Sequence, residues 1–445
     1  MNTENKSFDR AQSWIRNSVT LKVMTIVVMV LLLLIPTEMV KSIIREREVQ
    51  NNKAIQEVSA KWAGYQELNG PILTIPVVYE FQNGDFMEEI TKNWYIMPEE
   101  LKIDGDIKPE KLRRGIYEVV VYKSMLSFDG HFNLDKSIDK NNLKKICVDQ
   151  AFLTIGITDL RGIEDDIILN WNNQKLKVQP GSKIADIIDS GITIDLPNLN
   201  EGEEKIFPFH FTLNLQGSQS LEFIPVGNTT EVHLTSNWNS PRFDGNFLPD
   251  TREVSETGFF ADWKILQLNR NIPQSWISGQ QKDNMSTTAF GVDLLIALDD
   301  YQKAMRSAKY AVMTIALTFL IFFIVEILNN RKIHPFQYTL VGLALSLFYV
   351  LLISISEHTN FNIAYSISTV AIVSMISLYS MSVFKTKKFT LILTSTLISI
   401  YGFLFITLQL EDYALLMGSI GLTLILAATM YFTRKINWYN LNITN

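Results

Sequence analysis

Few side chains in this 445-residue sequence are spaced in a way that could do chemistry. Ser137-Ile138-Asp139-Lys140 has the Ser-x-x-Lys spacing in which a lysine amine draws the proton from a serine hydroxyl. Neither Ser-Asp-Asn nor Lys-Thr-Gly follows it, and Ser382-Val383-Phe384-Lys385 repeats the spacing at the end of an apolar run, so chance accounts for both. Glu326 is the acidic residue inside the C-terminal apolar runs, and a carboxylate at membrane depth points to function because its desolvation is costly. It lies two residues from the end of its run, so reaching the headgroups or pairing with Arg331 is the cheaper arrangement. Glu357-His358 sits between two apolar runs, where a short solvated loop is the plainer alternative. Trp238 and Arg242 open a stretch, Asn237 to Glu256, in which aromatic residues alternate with charges among Pro and Gly. Such a stretch is either a partner surface or a loop packed on its own domain.

Other constellations are weaker. His210 and His233 fall on the polar faces of strand-like segments and could meet across a hairpin, but a metal would need a further ligand, and solvated histidines are the simpler reading. Ser366, Ser368, Thr369, Ser374, Ser377 and Ser380 in one apolar run, with Thr390, Thr394, Ser395, Thr396 and Ser399 in the next, suggest hydroxyl-mediated helix packing or a polar cavity. Gly342 and Ser346 suggest close helix approach. No nucleophile elbow, HExxH, glycine-rich phosphate loop or Cys/His cluster occurs, so no cofactor, metal or catalytic residue is assigned and an enzyme is not expected.

The elements that must position these residues are dominated by a membrane. Five apolar runs, Tyr310 to Leu328, Tyr338 to Ile355, Ile363 to Phe384, Phe389 to Leu410 and Ala414 to Phe432, each have the length that crosses about 30 Å of hydrocarbon as a helix. Arg331 and Lys332, then Lys385, Lys387 and Lys388, then Arg434 and Lys435 follow alternate runs, which places those turns in the cytoplasm. An earlier apolar run, Val23 to Ile35, follows Lys6, Arg10 and Arg16 and is succeeded by Pro36-Thr37-Glu38-Met39, a poor cleavage site, so an uncleaved anchor spanning Val19 to Val40 is expected with Lys22 reaching inward and Glu38 outward. The expected architecture is an α-helical transmembrane bundle, one N-terminal anchor plus five C-terminal spans, carrying a large extracytoplasmic all-β, sandwich-like domain. The boundaries are 1–18 cytoplasmic, 19–40 anchor, 41–309 β-rich domain with helical stalks, 310–433 five-helix bundle and 434–445 cytoplasmic.

The segment between the anchors reads as β structure from Gly70-Pro71 onward, in short β-branched and aromatic runs that include Ile72 to Phe81, Trp94 to Met97, Phe152 to Ile157, Ile206 to Leu215, Val232 to Trp238 and Val292 to Ala297. Phe207, Phe209, Phe211, Leu213 and Leu215 alternate with His210, Thr212 and Asn214, as a half-buried strand requires. Asn83-Gly84-Asp85, Asp129-Gly130 and Trp171-Asn172-Asn173-Gln174 are turn candidates. Its size permits one large core or two smaller ones. Residues 23–309 carry 29 Lys and Arg against 40 Asp and Glu, so this acidic segment makes nucleic acid an unsuitable partner. Cys147 is the only cysteine, which excludes an internal disulfide. The expected partners are the lipid bilayer and other envelope proteins.

Several stretches resemble the CreD family of bacterial inner-membrane cell-envelope proteins: Leu31 to Pro36, Gly70 to Pro76, Ser236 to Trp238 with Phe243 to Pro249, Arg252 to Glu256, and His334 to Tyr338 leading to Ser356 to Thr359. The order and spacing agree from Lys22 to Tyr439. The resemblance implies a Gram-negative inner-membrane protein linked to envelope integrity, colicin tolerance and responses to β-lactams through a two-component system. It supplies no catalytic or ligand residues. Two functions follow as expectations: a non-enzymatic envelope protein, or alternatively a transporter or lipid-handling protein that uses the hydroxyl-rich helices.

Overall fold

The structure is a computed structural model and describes residues 19–83, 86–135, 138, 140–197, 199, 205–280, 285–294, 299–328, 333–410 and 414–434. The chain forms two compact units, Asn52–Ile296 and the combination of Met1–Asn51 with Ala297–Asn445.

The middle unit is β structure apart from the helix end that leads into it and a few single 3-10 turns. Its strands, in chain order, are β1 (Gln66–Asn83), β2 (Phe86–Ile96), β3 (Glu100–Arg114), β4 (Tyr117–Asn133), β5 (Leu143–Ile146), β6 (Phe152–Ile157), β7 (Ile168–Trp171), β8 (Gln174–Lys177) and β9 (Gln179–Pro180). They continue as β10 (Gly191–Asp195), β11 (Ile206–Ser218), β12 (Ser220–Phe223), β13 (Thr229–Ser236), β14 (Arg242–Gly245), β15 (Thr251–Ser255), β16 (Gly258–Leu266), β17 (Ser275–Ile277) and β18 (Phe290–Asp293). One sheet runs β14-β18-β12-β1-β6-β10-β9, with β2 and β5 also on β1 and β17 on β2; the other runs β15-β16-β13-β3-β4-β11-β7-β8. Most pairs are antiparallel, but β1 with β12 and β3 with β13 are parallel.

Alternation makes the sandwich. Along β11 the residues from Phe207 to Leu215 that were expected inward are buried, and those between them are exposed or half-buried. Inward side chains of both sheets, among them Leu73, Ile75, Tyr122, Phe128, Leu213, Leu234 and Phe290, form one continuous core, so the β region is a single domain. The β7–β8 hairpin turns at Asn172 and Asn173, which adopt φ values of 43° and 67°, the left-handed conformations that asparagine tolerates. The turn expected at Asp129-Gly130 does not occur. Gly130 lies within β4, opposite Leu101 and Phe209, where an added Cβ would meet the Glu100 carbonyl oxygen at 2.2 Å and the Phe209 ring at 2.7 Å. Its glycine makes room for a neighbouring strand rather than for a turn. Gly84 and Asp85 lie outside the described residues.

The other unit is helical. Helix α1 (Val19–Ser59) is continuous through Pro36 and, at 1.5 Å per residue, its 41 residues extend about 61 Å; its part through Asn51 belongs to this unit. The remaining helices are α2 (Asp299–Lys309), α3 (Ala311–Leu328), α4 (Pro335–Ser356), α5 (Phe361–Phe384), α6 (Lys387–Gln409) and α7 (Ala414–Thr433). Among the described residues α1, α4, α5 and α6 are each long and apolar enough to cross a membrane, and α2 with α3 makes a fifth candidate. That pair bends by 42° at the break between the two helices. Local signals set the ends: His334 caps α4 ahead of Pro335, Asn360 Oδ1 accepts from the Ile363 amide at 2.9 Å to begin α5, and Lys385 closes it in a left-handed conformation.

Candidate functional site

Within the helical unit, Glu326 near the end of α3 is buried, with 1% of its surface exposed. Its carboxylate accepts from Lys22 Nζ of α1, from Tyr338 Oη of α4 at 2.9 Å and from the Ile333 amide at 2.7 Å. It therefore does not reach outward, as its place near the helix end had suggested. The reason is satisfaction: one counter-charge and two neutral donors offset the desolvation of a carboxylate better than helix packing allows an outward turn. Arg331, its other expected partner, lies outside the described residues. Lys22, expected to reach for the interface, is committed to this site with a side chain 19% exposed.

Glu357, just past α4, pairs with Arg47 of α1 at 3.1 Å. Its side chain is 12% exposed, so it is not fully solvated. His358 beside it is exposed in the turn, its amide bonded to the Ile355 carbonyl. Between the two ion pairs α1 lies close on α4. A Cβ on Gly342 would meet Leu33 Cδ1 at 2.1 Å, and Thr339 Oγ1 approaches Met29 Sδ at 3.3 Å. The pairs sit 25 residues apart on one helix, about 37 Å, so α1 is fastened to the bundle at two levels with a small-residue contact between them.

Most of the hydroxyl rows bond locally. Ser366, Thr390, Thr396 and Ser399 return to backbone carbonyls four residues earlier and Ser380 to one three residues earlier; Thr394 bonds across to Ser377 Oγ at 2.7 Å. Tyrosines that the sequence reading did not single out share the bundle interior with buried Ser368 and Ser380. Tyr349 of α4, Tyr365 of α5 and Tyr401 of α6 are all buried and gather around Phe348, whose ring lies 4.9, 5.3 and 4.7 Å from theirs. Tyr365 Oη donates to the Tyr401 carbonyl at 2.8 Å.

In the β domain, Arg242 begins β14 and pairs with Asp293 of β18 at 2.5 Å and with Asp244 at 2.9 Å. Burial holds the Asp293 carboxyl above the usual range while Arg242 pulls it back down, and burial followed by the Asp293 charge raises Glu222 as well. Phe243 packs edge-on against Phe259 and Trp263, and Phe247 against Phe290. Trp238 is half-buried, its Nε1 bonded to the Ser240 carbonyl. The stretch from Arg242 thus leaves the edge of one sheet, β14, and joins the edge of the other, β15, with its aromatic rings turned into the core. Arg270, also missed, is buried with its guanidinium on the carbonyls of Val226, Gly227 and Ile272 and on Gln274 Oε1; burial draws it down to about 10. Asp159 is held down to about 2, chiefly by Arg161, against burial and with help from the Gly64 amide.

His210 and His233 do not meet, because β4 and β3 separate their strands; each instead faces an aspartate, Asp129 at 2.8 Å and Asp262 respectively. Among the described residues no three His, Cys, Asp or Glu side chains converge as metal ligands. Ser137 lies outside the described residues.

The sequence profile of the family described as "Inner membrane protein CreD" matches residues 18–439. This chain belongs to the CreD family. It is 34% identical over 414 residues to the inner membrane protein CreD of Escherichia coli (strain K12), covering 92% of this chain and 91% of that one. It is accordingly an inner-membrane protein, with an apolar N-terminal helix, several apolar C-terminal helices and a large β domain. Among solved structures, a two-domain M1 zinc metallopeptidase variant with L-arginine bound shares 9% identity over 44% of this chain and 42% of its own, at a TM-score of 0.20. The M1 zinc metallopeptidase from Deinococcus radiodurans shares 12% over 38% of each chain, at 0.18. Likeness at that level carries no argument about fold or activity.

Proposed function

We propose that this CreD-family protein is a non-enzymatic support of the cell envelope, acting in responses to envelope stress, colicins or β-lactams through contacts of its acidic β domain with other envelope components. The observation that carries this reading is the double fastening of α1, Lys22 to Glu326 and Arg47 to Glu357, which spends the buried carboxylate of the helical unit on holding a helix in place. The proposed topology has six spans, α1 and five C-terminal, with residues 1–18 and 434–445 in the cytoplasm and 41–309 on the periplasmic side. It is supported by the basic turns at Lys385, Lys387, Lys388 and Arg434 and by the separation of about 37 Å between Lys22 and Arg47, which suits a hydrocarbon layer of about 30 Å with its interfaces.

A second reading, transport or lipid handling, is favoured by Tyr349, Tyr365 and Tyr401 in the bundle interior. The experiment that separates the two is complementation. Cells lacking the gene should change in sensitivity to detergents, colicins or β-lactams, and Tyr349→Phe with Tyr401→Phe should restore the normal response if the protein is a support. A stably inserted but inactive double variant would favour transport. Identifying lipids and proteins that co-purify with the detergent-solubilised chain names the contacts.

A further inference from the structure

Strand β15 ends the second β sheet, and among the described residues no strand pairs with its far side. All five of its residues are exposed, on both faces. Its pairing with β16 runs from Thr251 opposite Asp262 to Ser255 opposite Gly258, so the turn between the two strands is only Glu256 and Thr257. A two-residue turn closes on a hydrogen-bonded pair, and the ladder alternates from there. The backbone groups of Ser255, Glu253 and Thr251 therefore point to β16, and those of Arg252 and Val254 point outward.

An open edge with free backbone groups pairs readily with another strand, and charged side chains are the usual shield against strangers. Here the charges also select a mate. Arg252 and Val254 stand opposite the inward-facing Ala261 and Phe259, and Glu256 continues their alternation into the turn. Val254 is 52% exposed, and the Arg252 guanidinium lies 6.0 Å over the Phe243 ring. Among the described residues none of Arg252, Glu253 and Glu256 has an ion-pair partner.

Two copies of this strand related by a twofold axis through the sheet meet antiparallel, with like faces together. Centring the pair on Arg252 or on Glu253 sets like charges against each other, and centring it on Ser255 pairs no opposite charges. Centring it on Thr251 calls on Asp250, whose carboxylate is already held by the Lys264 amide at 2.9 Å. Centring it on Val254 lets the outward backbone groups of that residue bond to their own copies and sets Arg252 against Glu256 of the second copy, at both ends. We propose that β15 is the docking edge for a second copy of this chain in that register, so that two eight-stranded sheets become one. So short an edge buries less than the roughly 1,200 Å² of a stable interface between free proteins. The dimer therefore belongs to the membrane, where confinement of both chains raises their effective concentration.

The test uses the full-length protein with Cys147→Ser and Val254→Cys, in lipid vesicles of decreasing protein-to-lipid ratio, treated with a short bifunctional thiol reagent. The Cα atoms of a hydrogen-bonded antiparallel pair lie about 5.5 Å apart, so a covalent dimer is expected. Leu268→Cys in place of Val254→Cys, at a position 94% exposed, should give none beyond random collision. Arg252→Glu and Glu256→Arg should each raise the protein-to-lipid ratio needed for half-dimer at least about tenfold, and the two changes together should bring it back. These positions are exposed, and melting temperature checks that each variant is folded. No dimer through Val254→Cys, equal dimer through Leu268→Cys, single reversals without effect, or a double reversal that fails to restore the dimer would overturn the assignment. So would capture of a different protein alone in native membranes, which would give the edge to a strand of another envelope component.

Discussion

Lys22 of the first helix places its ammonium on the carboxylate of Glu326, 304 residues further along the chain, inside the helical unit. A lone buried carboxylate is costly, whereas one with a counter-charge and two further donors is tolerated, so the pair makes α1 part of the bundle rather than a separate anchor.

The pair predicts a non-additive cycle. Lys22→Met alone leaves Glu326 buried without its counter-charge and should lower the stability of the detergent-solubilised protein by about 3 kcal/mol. Adding Glu326→Gln removes the charge, keeps an acceptor for the Ile333 amide and offers its NH2 to the Tyr338 hydroxyl, which can accept, so the double variant should recover most of the loss. Thermal unfolding of the four proteins measures this; additive losses would mean that the two side chains do not interact.

The proposed topology predicts accessibility. In a Cys147→Ser background, a cysteine at Leu268, 94% exposed on the β domain, should react with an impermeant thiol reagent in intact spheroplasts, and one at Lys387 should not. Labelling at Lys387 with protection at Leu268 would invert the scheme.

Arg242 is expected to act on stability. Arg242→Ala should lower the melting temperature of the β domain in the full chain, with a loss of about 1–3 kcal/mol as Asp293 is left without its partner. Asp293 is held up by burial and drawn back by Arg242, so the variant's Asp293 should rise further. A carboxyl whose folded value lies above its unfolded value costs stability at neutral pH and regains it as pH falls. The deficit of the variant should shrink between pH 7 and about pH 4, and Asp293→Asn in the same protein should remove that pH dependence. A deficit constant with pH would exclude the ion pair as its cause.

Asp159 should behave in the opposite sense. Arg161 and the Gly64 amide, against burial, hold it down to about 2, below its unfolded value, so its contribution is present above about pH 4 and is lost as pH falls toward 2. Asp159→Asn should cost about 1–2 kcal/mol at pH 7, and the difference from wild type should close in acid. Chemical denaturation at several pH values measures it.

What the sequence makes legible follows from period and length. The apolar helices read clearly because helices in lipid must be long and apolar, and β1, β6, β11 and β13 because one face of each carries large apolar residues. Strand β3 was missed although Leu101, Ile103, Gly105 and Ile107 alternate inward, because its other face is charged and it contains Gly105 and Pro109. Strand β16 was missed although Phe259, Ala261, Trp263 and Ile265 are all buried on one face and their alternation is readable. At the candidate site, sequence marks Glu326 by its cost at membrane depth and Glu357 by its place between two apolar runs. It did not supply their partners, because Lys22 and Arg47 come from a helix about 300 residues away and no local spacing encodes that pairing. The tyrosine cluster was overlooked for the same reason, since its rings converge from three helices.

The central claim, that the protein supports the envelope and that Glu326 serves to hold α1, is tested most directly by the detergent and colicin sensitivity of gene-deleted cells that express Glu326→Gln with Lys22→Met. The account predicts that this neutral pair, inserted at normal levels, restores the wild-type response while Lys22→Met alone does not. A stably inserted double variant that leaves the cells as sensitive as the deletion would contradict it, because the carboxylate itself would then be required.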